Sequence, residues 1–197
     1  TSEELEGHLL FDFAAPESES SLIPHQQEPA EKIRLFMSFF KGREDVYAKR
    51  WQNRQGKSGY APVCRNEWKS GLCRKPVVKC FDCRHQTYEA LDAKVIEVHL
   101  RGNITAGLYP LCKDETCYLL AIDFDDDGWQ RDCTVLREVC SAFGIPVALE
   151  RSRSGNGAHA WFFFENPIPA SLARKFGSAL LTCAMSRRHE LTFKSYD

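Results

Sequence analysis

The segment 117–125, CYLLAIDFD, constrains this chain more than any other. A continuous apolar run that closes on carboxylates reads as a buried strand whose C-terminal end emerges at a polar site. Around it the pattern alternates. Residues 129–143 place Val135, Leu136, Val139 and Phe143 on one helical stripe, closed by Gly144 and Pro146. PVALERS (146–152) reads as a strand, a Gly-rich turn follows, and AHAWFFFE (158–164) reads as another. Residues 168–186 form a second amphipathic helix, and the last residues head into a further strand. The expected class is α+β, with a βαββαβ core of the RRM-like or ferredoxin-like kind. In that order the first strand lies between the third and the fourth and runs antiparallel to both. The end of the first strand, the start of the third and the start of the fourth therefore share one sheet edge. Asp123, Asp125, His159 and Asp197 are expected there.

The N-terminal part is organised differently. Residues 1–30 are expected to be an acidic arm or linker, residues 31–92 a helical and zinc-binding basic module, and residues 93–197 the catalytic core, its last strand cut short at Asp197. A helix starts after Pro29, with Ile33, Phe36, Met37 and Phe40 on its apolar face. A second helix is expected from about Glu44 to Gln55, turning Val46, Tyr47 and Trp51 inward. KVIEVHL and ITAGLYPLC read as strands flanking the core sheet.

The net charge of −1 over 197 residues hides a segregation. Residues 1–30 carry seven acids and no Lys or Arg, residues 31–85 carry 14 basic against five acidic residues, and residues 86–197 carry 12 against 15. A basic half beside a mildly acidic one suggests a polyanion docked next to a metal-using site. No apolar run approaches the roughly 18 residues of a spanning helix, so no membrane span is expected. The N-terminus lacks a basic-then-apolar secretory pattern. An odd count of nine cysteines argues against a disulfide framework. Cys112, Cys117, Cys133, Cys140 and Cys183 lie in apolar stretches and read as small core residues.

Three clusters carry chemistry. The first is Asp123 and Asp125, which two-residue periodicity puts on one strand face. Paired carboxylates repel unless a divalent cation lies between them, and paired metals held so, clamping the attacking and leaving oxygens, are the usual equipment of phosphoryl and nucleotidyl transfer. Asp126 and Asp127 read instead as an acidic loop capping the helix near Gly128. The second cluster is Arg151, Ser152, Arg153, Ser154, Gly155, Asn156, Gly157 and His159. Glycines between strands let backbone N–H groups close round an anion, Arg151 and Arg153 add charge, and His159 can donate to a phosphate oxygen. An ordinary hairpin turn would use the same Gly-Asn-Gly.

The third is Cys64, Cys73, Cys80 and Cys83, with His85 close behind. Four thiols with a tight Cys-x-x-Cys half-site suit one structural Zn²⁺. His85 in place of one Cys, or free thiols, are the alternatives. A turn-rich segment with few core residues needs such a clip, and zinc can supply about 10–16 kcal/mol of folding free energy. Lys75, Lys79 and Arg84 surround it, with Trp68 and Phe81 interleaved, which suits nucleic-acid backbone contact and base stacking. A merely solvated basic face is the competing reading.

With these residues assembled, the chain resembles an archaeo-eukaryotic primase of the primase-polymerase superfamily. The motifs are Asp123-Phe124-Asp125, the segment from Ser154 to His159, and Tyr196-Asp197. Within that superfamily it is similar to the primase domains of TOTE conflict systems and to CRISPR-associated primase-polymerases. GREDVYAKRW, the cysteine cluster, HLRG, GLYPL, AIDFDDDGW and ERSRSGNGAHAWFFF carry the likeness, which runs from about residue 32 to 197. The resemblance implies DNA-templated nucleotidyl transfer from a nucleoside triphosphate, ribo- or deoxyribo-, on a single-stranded or primed template. It implies that Asp123, Asp125 and Asp197 hold two Mg²⁺ or Mn²⁺ and that Ser154, Gly155 and His159 hold the triphosphate. It further implies a cytoplasmic, nucleoid-associated setting and helicase or nuclease partners or fused domains.

Two other readings use the same residues. A zinc-stabilised single-stranded nucleic-acid-binding module with a vestigial acidic site would bind DNA without incorporation. A metal-dependent nuclease would use the carboxylates without needing the Gly-rich loop. A rolling-circle initiator is disfavoured, because no paired His-hydrophobic-His accompanies a usable Tyr.

Overall fold

The computed structural model describes residues 28–187. Asp197 and the expected last strand lie outside the described residues, as does most of the acidic arm. Two three-stranded antiparallel sheets and four helices make up the mixed α and β architecture. No described helix is long and apolar enough to cross a membrane.

Helix α1 (Pro29–Phe39) begins as expected, with Pro in its first turn, where the missing N–H has no partner to lose. The expected helix from Glu44 to Gln55 is instead a hairpin of β1 (Ala48–Gln52) and β2 (Ser58–Pro62). The turn decides this. The Asn53 carboxamide oxygen accepts from the backbone N–H groups of Gln55 and Lys57, and Gly56 supplies a φ of 83°. That local closure offers the backbone an alternative to a helix. KVIEVHL is helix α2 (Ala93–Leu100), not a strand. The Asp92 carboxylate accepts from Val95 N–H as its N-cap, and Glu97 pairs with Arg101 one turn on. Capping and the burial of Ile96 override the β preference of its branched residues. Only Ala106–Gly107 of the next expected strand pairs, as β3 against β1, giving the order β2-β1-β3.

The second half follows the sequence pattern closely: β4 (Thr116–Phe124), α3 (Trp129–Ala142), β5 (Ala148–Arg151), β6 (Ala158–Pro169) and α4 (Ala170–Arg187). The sheet order is β4-β6-β5, antiparallel throughout. Strand alternation splits its side chains between two faces. Ile122, Phe124, Ala158, Ala160 and Phe162 join Leu136, Val139 and Cys140 of α3 and Leu180 and Ala184 of α4 in the main core. Each large buried side chain contributes roughly 1.5–3 kcal/mol. Cys117, Cys133 and Cys140 are buried and Cys183 packs at the core's margin, whereas Cys112 is only half-buried and outside it. Burial pushes the Cys133 thiol up to about 12 and the Cys140 thiol up to about 11.

Aromatic rings cover the opposite face. Phe40 meets Trp161 and Phe163 edge-on at centroid separations of 5.3 and 5.7 Å, and Phe39 lies 5.1 Å from Phe163. These contacts seat α1 on β6. Between them, α2, β3 and the sheet remains an apolar cavity of about 380 Å³, lined by Phe36, Ile96, His99, Leu119 and Trp161 among others.

Candidate functional site

The antiparallel register of β4 and β6 sets Asp123 opposite His159 and Phe124 opposite Ala158. On the other flank β5 sets Glu150 opposite His159. One row of polar side chains therefore crosses the sheet from Asp123 through His159 to Glu150, on the face away from the main core. His159 Nε2 lies 3.6 Å from Asp123 Oδ1, and His159 Nδ1 lies 3.6 Å from Glu150 Oε2. Both separations exceed a hydrogen bond. Nδ1 is buried and has no hydrogen-bond partner among the described residues. Trp161 Nε1 donates to the same Glu150 oxygen at 2.9 Å, which holds the carboxylate beside the ring. Glu150 and Trp161 were absent from the expected site. Their signal is the hairpin register, which becomes legible only once the turn length is fixed.

Asp125 follows directly after the last residue of β4, so the strand periodicity that was expected to align it with Asp123 ends one residue short. The cap of α3 is Gly128, with φ 97°, and no side chain caps the helix there.

The loop from Ser152 to Gly157 folds onto this strand end. Its backbone closes through Ser152 N–H to Gly157 O and Gly155 N–H to Ser152 O. Ser154 Oγ accepts from Asn156 N–H and lies 3.1 Å from Ser152 Oγ. A Cβ on Gly157 would collide with the carbonyl oxygen of Phe124, so only glycine permits the approach. The structure thus brings the Gly-rich loop, Asp123 and His159 together. Arg151 does not face them: its guanidinium donates to Gly155 O at 3.0 and 3.2 Å and lies over the Trp129 ring, bracing the loop from outside. Arg153, Ser154 and Asn156 are exposed on the loop.

Carboxylate oxygens suit Mg²⁺ and Mn²⁺, and the distance from Asp123 to His159 leaves that oxygen without a hydrogen bond from the ring. The donor chemistry fits the expected metals. In the basic module Cys64, Cys73, Cys80, Cys83 and His85 all line one small cavity of about 20 Å³. Backbone N–H groups of Thr87 and Asn66 point at Cys64 Sγ, at 3.3 and 3.4 Å, as they do around metal-bound thiolates. Among the described residues no three His, Cys, Asp or Glu side chains stand at metal-ligating spacing. The four thiols share a cavity without closing on a point.

Lys79 and Arg84 are exposed, as a polyanion surface requires. Lys75 is turned inward, with only 17% of its side chain exposed and its ammonium 2.7 Å from Glu67. Burial alone would lower its pKa, but the hydrogen bonds to Glu67 and Cys80 outweigh it and raise the value. It braces the cysteine cluster.

The fold has a solved relative. The polymerase domain of Mycobacterium tuberculosis Ligase D, in complex with DNA, superposes with a TM-score of 0.52 at 13% identity, covering 85% of this chain and 64% of that one. A comparison with curated proteins finds no match. The family is defined by sequence: residues 31–197 match the archaeo-eukaryotic primase domain of TOTE conflict systems, and the chain belongs to that family.

Proposed function

We propose that this domain catalyses DNA-templated nucleotidyl transfer, extending or starting a primer from nucleoside triphosphates. The observation that carries the reading is the β4–β6 register, which sets Asp123 opposite His159 with the Gly-rich loop folded onto Phe124. Asp123 and Asp125, joined by Asp197, would hold two Mg²⁺ or Mn²⁺, which supply charge neutralisation at the attacking and leaving oxygens. His159 Nε2 donates to a triphosphate oxygen at the mouth of the site. The N–H groups and hydroxyls of Ser154, Gly155, Asn156 and Gly157, with Arg153, surround the rest of the anion. Holding the triphosphate beside the carboxylates turns an encounter into an oriented, nearly unimolecular step. Cys64, Cys73, Cys80 and Cys83 would hold one zinc that fixes the basic module, whose Lys79 and Arg84 take the template's phosphates. Partner or fused helicase and nuclease activities belong to the same proposal.

The test is primer extension on single-stranded and primed DNA, with each nucleotide set and each metal. The Asp123→Ala, Asp125→Ala double variant should lose incorporation by several orders of magnitude and keep its fold, since removing like charges relieves repulsion. Wild-type extension by that variant would move the active site elsewhere. Metal-dependent cleavage of DNA that ignores added nucleotides would make the domain a nuclease.

A further inference from the structure

The surface of the cysteine module carries large apolar side chains that no core takes up. Phe81 is 88% exposed, Val77 84% and Trp68 70%. Trp68 also has a φ of 60°, the left-handed region that bulky residues avoid. A glycine would occupy that position without strain, and the indole gains almost no burial from being there. Strain of this kind points to function when packing does not explain it. The ring's one described partner is Lys75, whose ammonium lies 5.8 Å from the ring centroid. Lys75 in turn lines the same cavity as Cys80, the residue before Phe81. Trp68 therefore stacks against a lysine of the cysteine cavity, and Phe81 stands exposed on the three-residue turn that carries Cys80. In the same segment Arg74, Lys79 and Arg84 are exposed and have no ion-pair partner among the described residues.

We propose that Trp68 and Phe81 form a platform on which unpaired nucleobases stack, while Arg74, Lys79 and Arg84 hold the intervening phosphates. The proposal rests on the reading of this domain as a template-directed enzyme and adds the residues that would grip the unpaired strand. The chemistry favours this occupant. Every base offers a π-face to an aromatic ring whatever its sequence, and cations between the rings suit a backbone with one charge per nucleotide. A protein partner would favour an uncharged centre, because interface cores are depleted of lysine. A lipid surface would favour an amphipathic helix, and the only helical turn described between Cys64 and Tyr88 is the three-residue Cys80–Asp82.

The experiment is binding of a labelled oligothymidine, and of a blunt duplex, to the whole chain over a range of salt. Trp68→Ala and Phe81→Ala should each weaken single-strand binding roughly 5- to 100-fold, leaving the salt slope and duplex binding unchanged. Lys79→Ala and Arg84→Ala should instead flatten the slope by about 0.7 for each phosphate no longer neutralised. Trp68→Gly separates stacking from folding: it relieves the left-handed strain, so its melting temperature should hold or rise while binding falls as in the alanine variant. Trp68→Phe should keep most of the affinity. Wild-type affinity in the alanine variants overturns the platform, as does an equal loss on duplex. Binding to phosphatidylserine vesicles that depends on Trp68, with no effect on DNA, also overturns it. If wild type extends primers while these variants bind normally, the platform alone fails. If wild type neither binds DNA nor incorporates nucleotide, the template-directed reading fails first.

Discussion

Gly157 lies so close to the carbonyl oxygen of Phe124 that a single added carbon would collide with it. The loop between β5 and β6 is thereby seated on the residue between two acids. Gly157→Ala should lift the loop or displace the end of β4. Overpacking of this kind costs about 1–3 kcal/mol, which for a chain of this size is a melting temperature lower by roughly 2–12 °C. Nucleotide affinity should fall by about tenfold or more in an equilibrium titration, with zinc content and oligonucleotide binding unaffected. A variant with normal nucleotide affinity would dissociate the loop's seat from triphosphate binding.

The row from Asp123 to Glu150 suits Glu150 to positioning the His159 ring. A buried His159 nitrogen lacks a hydrogen-bond partner among the described residues, and the carboxylate held by Trp161 lies 3.6 Å from it. Closing that gap would fix the ring with Nε2 toward the site. A hydrogen bond contributes about 1 kcal/mol. Glu150→Ala should therefore raise the nucleotide KM by about 3- to 10-fold with kcat and DNA affinity close to wild type. Glu150→Gln, whose amide oxygen still accepts, should recover most of the loss. A fall in kcat alone would assign Glu150 a different task.

Metal analysis of protein purified without chelator should give about one zinc per chain, as four thiols in one cavity imply. Cys80→Ser should abolish it. Chelation should raise amide exchange over residues 60–88 while β4 to α4 stay protected, because the main core lies wholly in the second half. Protection lost in both halves together would show that the cysteine segment and the sheet fold as one unit.

Stability should fall in alkali. Cys133 and Cys140 remain protonated in the folded chain up to about 12 and about 11, whereas unfolded thiols ionise near 8.5. Between those values the native state binds more protons than the unfolded one, so stability decreases as pH rises, by up to about 2.7 kcal/mol per unit when both titrate. Urea unfolding at pH 8, 9 and 10 should trace this slope, and Cys140→Ala should halve it. A flat profile would mean that these thiols open to solvent without unfolding.

The second half of the fold was legible because its periods are strong and its breaks sharp: Gly144 and Pro146 end α3, and the run from Cys117 to Phe124 suits only a strand. The pairing of Asp123 with His159 followed from element order. The first half misled for local reasons. Val46, Tyr47 and Trp51 mimic a helical stripe, and only the Asn53 side chain with Gly56 shows that the chain turns back. In KVIEVHL the branched residues mask the Asp92 cap. At the site, Glu150 depends on register and the inward turn of Lys75 depends on Glu67, a pairing that spacing does not encode.

The alternation along β4 and β6 means that the same backbone serves a dry side and a wet side. A one-residue slip taken by β4 would drive the Asp123 carboxylate into the layer beneath and eject Ile122 and Phe124, and one taken by β6 would drive in the His159 imidazole and eject Ala160. Desolvating those two side chains forbids that arrangement more firmly than any bond within the site. The alignment of Asp123 with His159 is thus policed from behind, by apolar residues buried beneath the sheet. Substitutions in this layer should erode catalysis before they unfold the chain.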